Sequence, residues 1–191
     1  MLNRRDTLRG LALTIGVGTT GWAGRALAAA APAPALTWTP TALTADQARL
    51  LDVVAELMIP ATDTPGARQA GVPQFIDRAL ADFFDKDQAE ALRTGLARMD
   101  ADARAAHGDI FIALTPEQQV ELLTAYDREG AAAKARTPSQ SHFFPALEDM
   151  VTVGYFTSEP GATVALQYDP VPGAYHGCVP LSDVGRAWAT R

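Results

Sequence analysis

The chain has 191 residues, of which 48% are hydrophobic, with 16 basic and 22 acidic side chains. A chain of this length can bury roughly 70% of its unfolded surface, so one hydrophobic core is expected without disulfide staples. The net charge of −6 makes the protein a poor candidate for binding nucleic acid or anionic lipid, because both are polyanions.

The first 28 residues have the order of a bacterial export signal: a basic segment, a weakly apolar run and then small residues. Arg4 and Arg5, followed by Leu8, indicate the twin-arginine route, although Thr7 stands where an aromatic residue is usual. A general secretory signal is the alternative. The signal holds four of the 16 basic and one of the 22 acidic residues, so the remaining chain has a net charge of −9. The weakly apolar run of the signal contains too many Gly and Thr residues for a stable membrane span.

Residues 29–43 are rich in Ala and Pro and are predicted to form an extended linker. A domain over 44–191 follows. Its first helix is predicted to begin after the capping box at Thr44 and Gln47 and to end near Ile59, before Pro60.

Four further helices are predicted from apolar spacing and capping residues. The second begins near Pro73, and the third covers roughly 87–107. The fourth opens at a capping box on Thr115 and runs towards residue 136. Ser141 is predicted to cap the fifth, which is apolar around most of its circumference and is therefore expected to be central. The fold class predicted is all-α, with about five helices in one domain.

The last predicted segment, 157–191, is an irregular arm, because its many Pro and Gly residues interrupt any long helix or strand. It also contains aromatic residues that disordered tails lack. We therefore expect the arm to be ordered by packing, either on the helices of this chain or on a partner.

Cys178 is the only cysteine, so an internal disulfide is impossible. In an oxidising compartment, an unpaired cysteine is either buried and inert or bonded to another chain. A c-type haem site is also excluded, because there is no Cys-x-x-Cys-His sequence.

Two candidate sites in the sequence are each weighed against a simpler interpretation. His142, His176 and Cys178 are potential metal ligands, but His-x-Cys spacing does not converge easily on one ion, and ordinary surface histidines are the favoured alternative. Loop carboxylates form the second candidate, as a carboxylate pair or a calcium site, and turn formation is favoured there. These carboxylates are Asp63, Asp169 and Asp183.

The sequence carries no recognisable nucleotide, flavin or serine-hydrolase fingerprint. A signal that exports folded proteins therefore precedes a domain without a visible cofactor site. These features predict a subunit that folds onto a cofactor-bearing partner in the cytoplasm and provides that partner with its export signal.

Two blocks of sequence resemble a known family. The run from Ile59 to Val72 (IPATDTPGARQAGV), followed by Phe75-Ile-Asp77, is similar to the opening motif of the gluconate 2-dehydrogenase subunit 3 family. The runs GYFTSEPG from Gly154 and YDPVPG from Tyr168, followed by Gly177-Cys178, resemble its closing motifs. The resemblance covers residues 44–190.

The resemblance implies a non-catalytic small subunit that accompanies a flavoprotein of the glucose-methanol-choline oxidoreductase type. The partner would bind FAD and oxidise a sugar, sugar acid or glycoside, and a c-type cytochrome would often accept the electrons. No catalytic residue, metal or cofactor is implied for this chain. The implied location is the periplasm, reached through the twin-arginine translocase, with any membrane association coming from the partners.

The expected partner-binding residues are aromatic side chains near the closing motifs, together with the cysteine, which is expected to form an interchain disulfide. They are Tyr155, Phe156, Tyr168, Tyr175, Cys178 and Trp188. Two other classes of function remain open: a free-standing periplasmic module that binds a small ligand, and an enzyme that uses the loop carboxylates.

Overall fold

The structure is a computed structural model that describes residues 35–136, 142–171, 173 and 178–189. The predicted signal residues Arg4, Arg5 and Leu8 lie outside the described residues, as does Tyr175. Six α-helices are present in the described ranges. They are α1 (Ala45–Met58), α2 (Val72–Asp82), α3 (Lys86–His107), α4 (Pro116–Arg136), α5 (Phe143–Phe156) and the short α6 (Leu181–Val184).

Two shorter helical turns complete the helical structure of these residues. A 3-10 turn covers Phe111–Ala113 and a π-helical turn covers Gly161–Ala165. The described part of the chain contains no β-strand; a single isolated β-bridge joins Gln167 to Trp188. The predicted all-α fold with about five helices in one domain is confirmed.

Local capping signals set most helix starts. Thr44 and Gln47 form the predicted capping box of α1, and the same reciprocal bonds join Thr115 to Gln118 before α4. Asp85 forms a third capping box, at the start of α3, which sequence reasoning missed. The prediction for α5 was wrong in its capping residue: the N-cap is His142, whose Nδ1 accepts a hydrogen bond from the amide of Phe144 at 3.3 Å.

Helix α5 is the centre of the core, as its apolar circumference predicts. It packs against α1, α2, α3 and α4, and also against the π-helical turn. Its buried residues include Leu147 and Val151, which are 0% and 1% exposed. Helix α3 approaches the start of α5 closely because Gly95 has no side chain: a Cβ there would overlap the ring of Phe143.

The described part of the predicted extended linker over residues 29–43 packs on the helices; residues 29–34 lie outside the described residues. From residue 35, where the description begins, its side chains Leu36 and Trp38 pack against the core, and Leu43 is buried. The buried carboxylate of Asp77 on α2 accepts three consecutive backbone amides of this segment. Those amides belong to Thr41 at 2.7 Å, Ala42 at 3.0 Å and Leu43 at 2.9 Å. The sequence did not indicate these bonds, because spacing along the chain does not reveal a carboxylate 34 to 36 residues away.

The described parts of the arm fold back on themselves. The π-helical turn packs against α5, and Ala165 contacts the core. The amide of Gln167 donates to the carbonyl of Ala187 at 2.8 Å, and the carbonyl of Gln167 accepts from the amide of Ala189 at 2.9 Å. The guanidinium of Arg186 also donates to the carbonyl of Val164. Residues 164–167 and 186–189 of the arm are therefore held together by hydrogen bonds within the chain.

The described residues form one compact unit. Within the described ranges, none of the helices has the length and the apolar character that crossing a membrane requires.

Candidate functional site

The two sequence blocks, about 90 residues apart along the chain, meet in space. The loop between α1 and α2 is held by Glu56 at the end of α1, whose carboxylate accepts the amides of Ala61 at 3.2 Å and Arg68 at 2.9 Å. From α5, the hydroxyl of Tyr155 donates to the carbonyl of Pro65 at 2.7 Å. The opening and closing motifs therefore build one structural unit.

A second contact between the blocks brings α2 against α5. A Cβ on Gly154 would lie 2.7 Å from Cδ1 of Phe75, so only glycine lets the Phe75 ring lie directly on the α5 backbone. The ring nevertheless remains 42% exposed. On α5, Val153 and Phe156 are 52% and 40% exposed. They share one side of the helix because they are three residues apart.

We call Phe75, Val153 and Phe156 the motif face. Phe75 belongs to the opening block, Phe156 belongs to the closing block, and Val153 directly precedes the closing block. All three project large apolar side chains into solvent. Isolated exposed apolar residues are normal on a protein surface, whereas adjacent ones mark a surface for binding another protein. Val153 and Phe156, one turn apart on α5, are adjacent in this sense. The loop tip beside it, from Pro60 to Asp63, is also exposed.

The structure separates the predicted partner-binding residues into two groups. Phe156, Tyr168 and Trp188 are 40%, 49% and 41% exposed, and Cys178 is an exposed free thiol. Tyr155, by contrast, is only 2% exposed, and its hydroxyl is already bonded within the chain. The prediction that Tyr155 itself contacts a partner is therefore corrected: it supports the motif face from beneath.

Val153 and Phe75 were missed as members of this surface. Phe75 has the helical spacing of a core residue, since the buried Ala79 is four residues further along the same helix. A signal was present nevertheless, since both residues lie within or beside the two sequence blocks.

The candidate metal ligands are not brought together in the described part of the chain. His142 is occupied as the N-cap of α5, with Nε2 at 3.4 Å from Oε1 of Glu129. His176 lies outside the described residues, and Cys178 is on the arm. Across the described ranges, no group of three His, Cys, Asp or Glu side chains is placed to hold a metal ion.

The loop carboxylates are engaged in local hydrogen bonds. Asp63 accepts from the hydroxyl of Thr62 at 3.0 Å, and Asp169 accepts from the amide of Val171 at 3.0 Å. Asp183 accepts from the hydroxyl of Ser182 at 3.2 Å. These contacts match the interpretation that the carboxylates form turns.

A polar network between α3 and α4 was not foreseen from the sequence. The guanidinium of Arg98 donates to both oxygens of Glu129, at 3.0 and 2.8 Å, and the hydroxyl of Tyr126 donates to Asp102 at 2.6 Å. The hydrogen bond from Arg98 holds the pKa of Glu129 below its usual range, although burial opposes this effect. Burial, and then the bond to Asp102, raises the pKa of Tyr126. The network ties α3 to α4, and its partners 24 to 31 residues apart share no spacing signal.

An open depression lies between the segment before α1, the end of α2 and the start of α3. Its charged groups are partly engaged within the chain, because Arg93 donates to the carbonyl of Ala42 at 3.0 Å and to Glu90 at 3.4 Å. Its lining residues include Thr41, Ala42, Leu80, Phe84, Glu90 and Arg93.

Comparison with known families decides the identity of the domain. The family model described as gluconate 2-dehydrogenase subunit 3 matches residues 45–173. The chain belongs to the gluconate 2-dehydrogenase subunit 3 family.

The match spans α1 to α5 and both sequence blocks that build the motif face. As a member of this family, the chain is a subunit of a dehydrogenase complex, and it associates with a catalytic subunit. The family assignment is consistent with a non-catalytic role for this chain. Comparisons with curated proteins and with solved structures found no match.

Proposed function

We propose that this chain is the non-catalytic small subunit of a periplasmic FAD-dependent dehydrogenase that oxidises a sugar, sugar acid or glycoside. The partner is a flavoprotein of the glucose-methanol-choline type, which holds the FAD and carries out the oxidation. A c-type cytochrome takes the electrons. The observation that carries the proposal is the motif face: the two segments that resemble the family meet in the folded chain, and large apolar side chains there remain exposed.

The contribution of this subunit is to bind the flavoprotein and support its maturation and stability. The motif face supplies apolar area, and rigid presentation lowers the entropy lost on binding. The Tyr155–Pro65 bond and the Glu56 bonds to the loop provide that rigidity.

The motif face can be tested with a charge placed at its centre. Phe156→Asp should abolish co-purification of the co-expressed flavoprotein, because an unpaired carboxylate would be buried at the interface. Phe83→Asp is the matched control, since Phe83 is 82% exposed and lies outside the motif face. Equal recovery of flavoprotein with both variants would contradict the proposal.

The chain also provides the export signal of the complex. Changing Arg4 and Arg5 together to Lys keeps the charge but removes the planar guanidinium groups that the twin-arginine route requires. Dehydrogenase activity should then move from the periplasm to the cytoplasm. Unchanged periplasmic activity would show that the partner is exported by another means.

The isolated chain without its signal should be colourless and should oxidise no sugar with an artificial electron acceptor. It should also self-associate, because the motif face and the arm are uncovered. Stoichiometric flavin in the purified chain would refute a non-catalytic role, and a tightly bound small ligand would favour the binding-module alternative.

Cys178 forms the covalent link to the catalytic subunit. The thiol is exposed on the arm and has no second cysteine in its own chain, so an oxidising compartment favours an interchain bond. On a non-reducing gel, the native complex should run at the summed mass of the two chains and split when a thiol reductant is added. Reaction of Cys178 with a maleimide in the unreduced complex would contradict the link. Cys178→Ser should leave export intact and weaken the complex on heating.

A further inference from the structure

A groove lies where the end of α1, the first half of α4 and α5 come together, and its walls are mainly apolar. The half-buried Leu57 and Met58 form one side and Leu123 with the 52% exposed Val120 forms the other, while Phe144, 2% exposed, lies at the base. Its volume of about 240 Å³ is below the roughly 300–1,000 Å³ of small-molecule pockets. The groove has room for side chains of a protein partner and is small for a sugar or nucleotide cofactor.

Carboxylates border this apolar groove. Asp127 of α4 and Glu148 of α5 line it, and Asp149 is close enough to act on Glu148. Partial burial raises the pKa of Glu148, and the charges of Asp127 and Asp149 raise it further. Among the ion pairs of the described residues, none includes these three carboxylates.

The groove is a separate surface from the motif face. Glu148 and Val153 are five residues apart on α5, about 140° apart around the helix axis, and Glu148 and Phe156 are eight residues apart, about 12 Å along it. The groove also involves α1 and α4, whereas the motif face involves α2.

We propose that this acidic groove binds an apolar segment of the catalytic subunit that carries a Lys or Arg side chain. This inference rests on the proposed function and adds to it a second contact surface and the chemistry of the segment that occupies it.

Charge and shape together define this occupant. A cation placed between Asp127 and Glu148 would relieve the repulsion between two carboxylates, and apolar neighbours on the same segment would cover Val120 and Leu123. A free metal ion or polyamine could neutralise the charge, but neither would cover the apolar walls. Met58 suits such a site because a flexible thioether side chain adapts its shape to a partner.

Photo-crosslinking tests which molecule occupies the groove. The full-length chain, carrying a benzophenone amino acid in place of Val120, is co-expressed with the flavoprotein, irradiated and digested for mass spectrometry. A cross-link to a flavoprotein peptide that contains Lys or Arg is expected. A cross-link to a second copy of this chain, to any other protein or to none would overturn the proposal.

Charge reversal tests the role of the carboxylates. Glu148→Lys should weaken the complex about tenfold or more at physiological salt and should reduce the dependence of its affinity on salt. Glu121→Lys on α4 is the matched control, since Glu121 is exposed and does not line the groove. Equal affinities for the two variants would overturn the proposal, and Glu148→Gln serves as a milder change with a smaller loss if the reversal unfolds the chain.

The two proposals fail in different ways. If the unaltered chain captures no flavoprotein, the proposed function fails, and with it the inference about the groove. If the unaltered chain forms the complex and Phe156→Asp breaks it while Glu148→Lys does not, only the groove inference fails.

Discussion

Asp77→Asn should loosen the segment that precedes α1. Oδ1 of Asp77 accepts two amides and Oδ2 accepts the amide of Thr41 at 2.7 Å, so all three bonds are made to a charged acceptor. In the asparagine variant one of these acceptors becomes an NH₂ group, which must face an amide donor. One bond is lost and the others are weakened, because they are no longer made to a charged group.

The expected loss follows from the energy of hydrogen bonds to charged groups. Such a bond contributes about 1.5–3 kcal/mol, so the free energy of unfolding should fall by about that amount. For a domain of this size the melting temperature should fall by roughly 3–12 °C, at about 2–4 °C for each kcal/mol. The loss stays near this value because the freed amides of Thr41 and Ala42, which are only partly buried, can bind water when the segment detaches.

Tryptophan fluorescence provides the assay. Once residues 1–28 are removed, only Trp38 and Trp188 remain, and Trp188→Phe leaves Trp38 as the single reporter on the segment. The asparagine variant should melt earlier and shift the Trp38 emission to the red, because Trp38 packs against the core in the native chain. Asp82→Asn, at the exposed end of the same helix, is the control.

Two results would refute this reasoning. A loss of stability below about 0.5 kcal/mol, within the range of ordinary surface substitutions, would show that the three bonds do not hold the segment. An unchanged Trp38 emission together with a large loss of stability would show that Asp77 supports α2 rather than the segment.

Three further predictions concern the contacts between the sequence blocks, the helix packing and the groove. Tyr155→Phe should lower the free energy of unfolding by about 1–3 kcal/mol, because it leaves the Pro65 carbonyl without its donor. It should also increase protease cleavage in the loop between α1 and α2, and cleavage equal to that of the unaltered chain would argue against the contact. Gly95→Ala should destabilise the fold by about 1–3 kcal/mol despite its better helix propensity, because the methyl group overlaps Phe143; a gain in stability on urea unfolding would contradict this packing. Glu148 has a pKa raised in the folded state, so its stabilising contribution is present below the unfolded pKa and is lost as the pH rises through the folded pKa. Glu148→Gln should therefore raise the melting temperature of the isolated chain at pH 7 and have no such effect at pH 3, and a lower melting temperature at pH 7 would contradict this.

The sequence by itself determined the helical architecture, because helix starts and helix faces depend on residues close together in the chain. Thr44 with Gln47, and Thr115 with Gln118, set the starts of α1 and α4 through bonds spanning three residues. The apolar circumference of α5 was enough to identify it as the central helix. The family was recognisable for the same reason, since its motifs are continuous runs of residues.

Helix capping also shows where local reasoning stops being sufficient. Ser141 and His142 are neighbours, and both can accept a hydrogen bond from an amide. His142, which caps α5, also makes contacts that form only in the folded chain: its Nε2 lies 3.4 Å from Glu129, and its ring centroid lies 5.0 Å from that of Phe143.

Only the tertiary structure decided which residues face a partner. Tyr155 and Phe156 are adjacent in sequence and similar in chemistry, yet one is 2% exposed and the other 40%. Phe75 has the helical spacing of a core residue but remains exposed because α5 offers it only the backbone at Gly154. The bonds from Asp77 to the segment before α1, and the position of Glu148 beside Asp127, depend equally on how the helices pack. Burial and charge contacts of this kind join residues far apart in the chain, so no local pattern encodes them.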